Sequence, residues 1–169
     1  MKSLRLLSIL LLACTTLRAA EPVPNNPDID YRGFLREAAR LEPIREAHRI
    51  SEKEFIRMAA EPGTIVLDAR SAENFRRVHV KGALNLSLPD FTATTLARLI
   101  PAKTTRILIY CNNNFRSAPA ALESKSVRAS LNIPTFQALH SYGYTNVYEL
   151  GPLLRFGAQK LELEGDDVR

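Results

Sequence analysis

Two segments leave the chain little freedom. Thr64-Ile65-Val66-Leu67 and Arg106-Ile107-Leu108-Ile109-Tyr110 are runs of apolar and β-branched residues with no internal polar alternation. A strand with one wet face alternates apolar and polar residues, so an unbroken run reads as a strand covered on both faces. The segments around them supply the cover. Ser51-Glu52-Lys53-Glu54 has the form of a capping box, opening a helix from Glu52 to about Ala60 that Pro62-Gly63 ends. Ser71 caps a short helix through Arg77, Ala83 to Leu86 is a further strand, and Thr92 to Ile100 is helical. Beyond Cys111, Ser117 and Pro119 fit a helix start, Pro134 starts another helix that Gly143 closes, and Asn146 to Leu150 is a final strand. Strands alternating with helices predict an α/β fold: a parallel sheet with helices on both faces, in a single domain.

The N-terminal part has a different character. Lys2 and Arg5 precede a run from Leu6 to Ala13 that is apolar at every position but Ser8, too short for a membrane span of about 20 residues. Residues 1–20 therefore read as a secretory signal. Two processing routes are open: Leu11-Leu12-Ala13-Cys14 has the form of a lipoprotein box, and Leu17-Arg18-Ala19-Ala20 offers a small-residue cleavage site. Either predicts an exported, periplasmic protein, soluble or lipid-anchored, touching the membrane only through that anchor. Residues 21–49 read as a linker, proline-rich to Asp28, followed by a short helix from Tyr31 to Leu41. Residues 50–162 form the domain and 163–169 a tail. Losing Lys2, Arg5 and Arg18 with the signal takes the 23 basic residues to 20 against 18 acids, a net charge of +2. The sequence pI of 9.5 thus reflects the leader, and with no basic cluster interleaved with aromatics, nucleic acid is not an expected partner.

Of the two cysteines, Cys14 lies in the leader, so Cys111 has no partner within the domain. It sits where the second buried strand ends, and in open parallel sheets ligands bind outside the carboxyl ends of the strands. The loop Cys111-Asn112-Asn113-Asn114-Phe115-Arg116 joins this strand to the predicted helix. A helix N-terminus, successive loop amides and the Arg116 cation would each favour a thiolate, the attacking species in sulfur exchange. Asparagine tolerates the left-handed backbone such a turn requires. An inert, buried strand-end thiol beside a plain surface turn is the competing reading.

The residues also carry a resemblance. Asp68-Ala69-Arg70, Glu73-Asn74-Phe75, His79 to Leu86, Ile107 to Cys111 with Arg116-Ser117, and Gly143 to Tyr148 resemble, in order and spacing, the signature segments of rhodanese-like domains from about Ile50 to Leu154. The resemblance implies a sulfurtransferase. Cys111 would take sulfane sulfur from thiosulfate or a persulfide and pass it to a thiol or other nucleophilic acceptor, with the loop amides from Asn112 to Arg116 holding the persulfide. Four residues separate Cys111 from Arg116, whereas related phosphatases of this fold carry five and cradle a phosphate. Asp68 and Arg70 would stand behind the loop, either orienting it or holding neighbouring loops together. His79 would be structural, and Phe115 would pack in the core or at its rim, or else line the pocket.

This chain departs from the family pattern in two places. Asn112 stands where a basic residue is usual and Asn114 where glycine is usual, which puts thiosulfate in question. The stretch 117–142 is longer than the single helix normally found there and resembles a subgroup with an asparagine-rich loop; it places Lys125, Arg128 and Gln137 where a substrate could meet them. A weakly catalytic binding or redox-sensing module of the cell envelope, holding a protein partner, is the alternative. No cofactor and no metal site is indicated.

Overall fold

The computed structural model describes residues 24–168, and the expected signal segment with Cys14 lies outside them. Residues 24–30 form a unit of their own with one turn, in which Asp28 N donates to Asn26 Oδ1 at 2.9 Å. From Tyr31 onward the elements are α1 (Tyr31–Ala47), β1 (Arg49–Ile50), α2 (Glu52–Ala59), β2 (Thr64–Asp68), α3 (Ala72–Arg77), β3 (His79–Val80), β4 (Leu84–Asn85), α4 (Ala93–Leu99), β5 (Arg106–Tyr110), β6 (Phe115–Arg116), α5 (Asn132–Ser141), β7 (Val147–Leu150), β8 (Leu154–Arg155) and β9 (Leu163–Glu164).

The two apolar runs are β2 and β5, neighbours at the centre of a five-stranded parallel sheet ordered β1-β7-β5-β2-β4. Their side chains alternate between two cores. Val66, Leu108, Tyr110 and Leu150 face Phe55 and Met58 of α2. Leu67, Ile107, Ile109 and Val147 face Leu96 of α4, Phe136 and Leu139 of α5, and Leu41 of α1. Each such side chain, moved from water to a close-packed interior, contributes about 1.5–3 kcal/mol, which is why neither run tolerates a polar position.

The caps form locally. Ser51 Oγ accepts from Glu54 N at 3.2 Å and Ser71 Oγ from Asn74 N at 3.3 Å. Glu54 does not reach back to complete the box; its carboxylate binds Arg57 one turn on. Thr92 and Thr95 form the reciprocal box of α4. Helix α1 runs six residues past the expected Leu41, through Pro43. A proline there removes one helical hydrogen bond, but Leu41 and Ile44 pack against the core and keep the segment helical.

The helix expected at Ser117 does not form. Residues 117–131 hold short 3₁₀ turns at Ala120–Leu122 and Val127–Ala129 instead. Ser117 takes φ +56°, a left-handed conformation that cannot continue a helix, and the Ala121 carbonyl accepts from Arg70 Nη1 at 2.9 Å.

Behind the carboxyl end of the sheet lies a buried polar network. Arg70 Nε donates to both oxygens of Asp68 at 3.0 Å, and its Nη2 reaches the Val78 carbonyl at 2.6 Å. Tyr110 Oη donates to Asp68 Oδ2 and accepts from Val80 N at 2.9 Å. Burial, with the Asp68 charge beside it, pushes the Tyr110 phenol well above its ordinary range, so it stays a protonated donor.

Replacing Arg70 by methionine leaves the Asp68 carboxylate buried without its counter-ion and is expected to cost about 3–5 kcal/mol, read from urea unfolding. His140 gives a pH signature. Burial lowers its pKa from the ordinary 6.5, with its Nδ1 on the Phe136 carbonyl at 2.9 Å. Below pH 6.5 the unfolded chain takes up the proton more readily than the native one, so stability is expected to fall as pH drops from 7 towards 5. Urea midpoints across this range check it, with a shallower slope expected for His140→Gln.

Candidate functional site

Strand β5 delivers Cys111 to the carboxyl end of the sheet in extended conformation, and a single 3₁₀ turn, Asn112–Asn114, follows. The turn closes on itself. Asn114 N donates to the Cys111 carbonyl at 3.1 Å, Phe115 N to the Asn112 carbonyl, and Cys111 N to Asn114 Oδ1 at 2.9 Å. Of the amides expected around the sulfur from Asn112 to Arg116, that of Phe115 is spent on the Asn112 carbonyl, while that of Asn114, bonded to the Cys111 carbonyl, also completes a reciprocal box with the Cys111 side chain.

Phe115 and Arg116 leave the site altogether. Phe115 is buried in the core, its ring edge-on to Tyr110 at 6.3 Å, instead of lining the pocket. Arg116 is exposed in β6, which pairs with β8, and its carbonyl accepts from Phe156 N at 3.0 Å. The backbone geometry expected of the asparagines falls on Ser117, the one non-glycine residue with positive φ among those described.

What the asparagines do is stitch. Asn112 Nδ2 donates to the Glu123 carbonyl at 2.8 Å, and Asn113 exchanges two bonds with the backbone of Lys125, at 2.8 and 3.0 Å. Asn114 Nδ2 reaches the Leu150 carbonyl at 2.7 Å, and its Oδ1 also accepts from Asn132 Nδ2 at 3.2 Å. Side-chain amides carry a donor and an acceptor in fixed geometry, so three in succession bind the turn to the 117–142 segment on one side and to the end of β7 on the other.

The tied-down segment covers the cysteine. Cys111 is 1% exposed, and its Sγ lies 3.5 Å from Ser130 Oγ. Both line an open pocket of about 330 Å³ whose walls include Asn113, Arg45, Arg49 and Glu149. A larger cavity of about 530 Å³ lies against the C-terminal segment near Lys81, Phe156 and Val168; it has no nucleophile, so size does not select the site.

Asp68 and Arg70 do not contact Arg116. They hold the Val78 and Ala121 carbonyls, which is the loop-holding alternative of the two weighed from sequence. His79 is structural, with Nδ1 on the Phe75 carbonyl at 2.7 Å and Nε2 on Glu164 at 3.2 Å. Lys125 meets the loop through its backbone, Gln137 binds the Phe34 carbonyl at 2.9 Å beside a different cavity, and Arg128 does not line the Cys111 pocket. Sequence reasoning passed over Arg45, Arg49, Glu149 and Ser130. The spacing of Arg45, in the last turn of α1, and Arg49, in β1, was legible, but nothing marked the pocket as their destination.

A parallel α/β domain with a lone cysteine closing its central strand is one class of fold. The model of the rhodanese-like domain matches residues 51–151, and the chain belongs to that family. Solved structures similar to it include the Alr3790 protein from Anabaena sp. (20% identity, TM-score 0.50, covering 70% of this chain and 94% of that one) and the BH2092 protein from Bacillus halodurans (21%, 0.49, 79% and 88%). A rhodanese with anions from E. coli is similar at 20% identity and TM-score 0.42, covering 60% of this chain and 98% of its own. The likeness at such identities is one of fold. Among curated proteins none matches.

Asn114→Ala removes bonds to the Cys111 amide, Asn132 and Leu150 at once in a buried position. A loss of about 2–3 kcal/mol in urea unfolding is expected, against less than about 1 kcal/mol for exposed Asn113→Ala.

Proposed function

We propose that this chain is a sulfurtransferase that carries sulfane sulfur as a persulfide on Cys111. The observation behind the reading is the position of Cys111: the free cysteine among the described residues, at the carboxyl end of the central strand, on a pocket wall beside a hydroxyl. The Cys111 thiolate attacks the outer sulfur of thiosulfate, forming Cys111–S–S⁻ and releasing sulfite; an organic persulfide instead releases its thiolate. An acceptor thiolate then attacks the outer sulfur, takes it as a new persulfide and returns Cys111 as thiolate. With the Phe115 amide committed to the turn, the Ser130 hydroxyl, 3.5 Å from the sulfur, is a donor placed to bind the charged sulfur alongside the Asn114 amide. Asn112 to Asn114 hold the nucleophile in position through the bonds of their side chains. The reading extends to location: export through residues 1–20, and a small thiol or an envelope protein as acceptor.

A second reading, a binding or redox-sensing module with little turnover, draws on the near-complete cover over Cys111 and on the absence of Arg116 from the pocket wall. One experiment separates the two. Incubated with thiosulfate or an organic persulfide, the purified protein is expected to gain the mass of one sulfur atom on the peptide containing Cys111, and to lose it to added thiol. Cys111→Ser abolishes the gain. A wild type left unmodified by both donors overturns the proposal, and a sulfur atom that loads without passing to any thiol supports the second reading.

A further inference from the structure

The pocket beside Cys111 has a charged end that the sulfur chemistry does not require. Arg45 projects from the last turn of α1 and Arg49 from β1, so both come from outside the residues that the family model matches. Arg45 Nη2 donates to Glu149 Oε1 at 2.7 Å. Glu149 is 4% exposed, its Oε2 has no hydrogen-bond partner, and Arg45 Nε has none either. A carboxylate and a guanidinium withdrawn from water with bonding capacity unused contribute little to stability, and such groups concentrate where ligands bind.

Glu149 neutralises Arg45 and holds it in place, which leaves Arg49 as the cation of the pocket wall that is paired at the exposed surface, with Glu46. Arg49 is positioned by its Nη2 on the Gly151 carbonyl at 3.3 Å, at the end of β7 and alongside Cys111. Its carboxylate partner, Glu46, is a solvent-exposed neighbour at 3.1 Å, a pairing of the kind worth less than about 1 kcal/mol that an incoming anion can displace. Arg116, the cation that the loop sequence offers to the thiol, is exposed in β6 and does not line this pocket. The cations on the wall of the Cys111 pocket therefore come from the α1–β1 segment.

We infer that Arg49, with Arg45 and Glu149 behind it, is a specificity site that selects a small acceptor carrying a carboxylate or sulfonate next to its thiol. The inference rests on the sulfur-transfer reading for the identity of the acceptor, while the anion preference stands on the pocket itself. A volume of about 330 Å³ suits a compact thiol of this kind, and a planar guanidinium offers two parallel donors to either oxyanion.

The test compares alkylation of Cys111 by iodoacetate and by iodoacetamide, read on the Cys111 peptide of the full chain. The two reagents share one displacement: a C–S bond forms as iodide leaves. They differ in one negative charge. The ratio of the two rates, relative to the same ratio for a free small thiol, is expected to be raised in the wild type. It should fall roughly tenfold in Arg49→Gln and recover in part in Arg49→Lys. Taking the ratio cancels any change in thiolate fraction, which acts on both reagents alike, and a Cys111 that iodoacetamide still alkylates in both variants reports an intact site. A reactive Cys111 with no charge preference, or a preference that survives Arg49→Gln, overturns this inference and leaves the sulfur-transfer reading standing. A thiol that neither reagent reaches defeats both.

Discussion

The Asp68 carboxylate, sealed in the interior and surrounded by donors, fixes the geometry at the carboxyl end of the sheet. It terminates β2, receives Arg70 and Tyr110, and through them gathers the Val78 and Ala121 carbonyls and the Val80 amide. A charge in that position is tolerable only if every lone pair has a partner, so the loops that supply the partners are held in place. Tyr110 is the last residue of β5, and Cys111 follows directly. The network thus positions the cysteine without touching it.

The turn after Cys111 shows how backbone and side chains divide the hydrogen-bonding work. A loop that aims its amides at a bound sulfur must leave them unpaired in its resting form. Here the amides of Asn114 and Phe115 close the turn, and the asparagine side chains reach outward to residues 123, 125 and 150. The outcome is a rigid turn with a segment fastened over it. The pocket beside the sulfur is then walled also by that segment, through Ser130, and by the α1–β1 segment, through Arg45 and Arg49. The pocket is thus assembled from three parts of the chain.

Much of the fold was legible because it is written in local patterns. The two central strands declare themselves by unbroken apolar runs, and the helices α2, α3 and α4 by caps at Ser51, Ser71 and Thr92. Gly143, at φ +85°, ends α5 as its position suggested. The short strands β6 and β8 were not legible, since two residues leave no periodicity and their pairing depends on a contact across some forty positions. Residues 117–131 read as a helix because Ser117 and Pro119 are good starting residues, but a buried arginine fifty positions earlier takes the Ala121 carbonyl.

By itself the sequence determined the layered α/β plan, the two cores and the place of Cys111 at the end of a central strand, because strand burial and helix capping depend on neighbours within a few residues. Tertiary structure decided which groups share the Cys111 pocket. Arg45, Arg49, Ser130 and Glu149 lie 19 to 66 positions from Cys111, and no local rule links them. They converge because β1 adds to the sheet beside β7, bringing the end of α1 with it, and because three side-chain amides fasten the 117–142 segment over the turn.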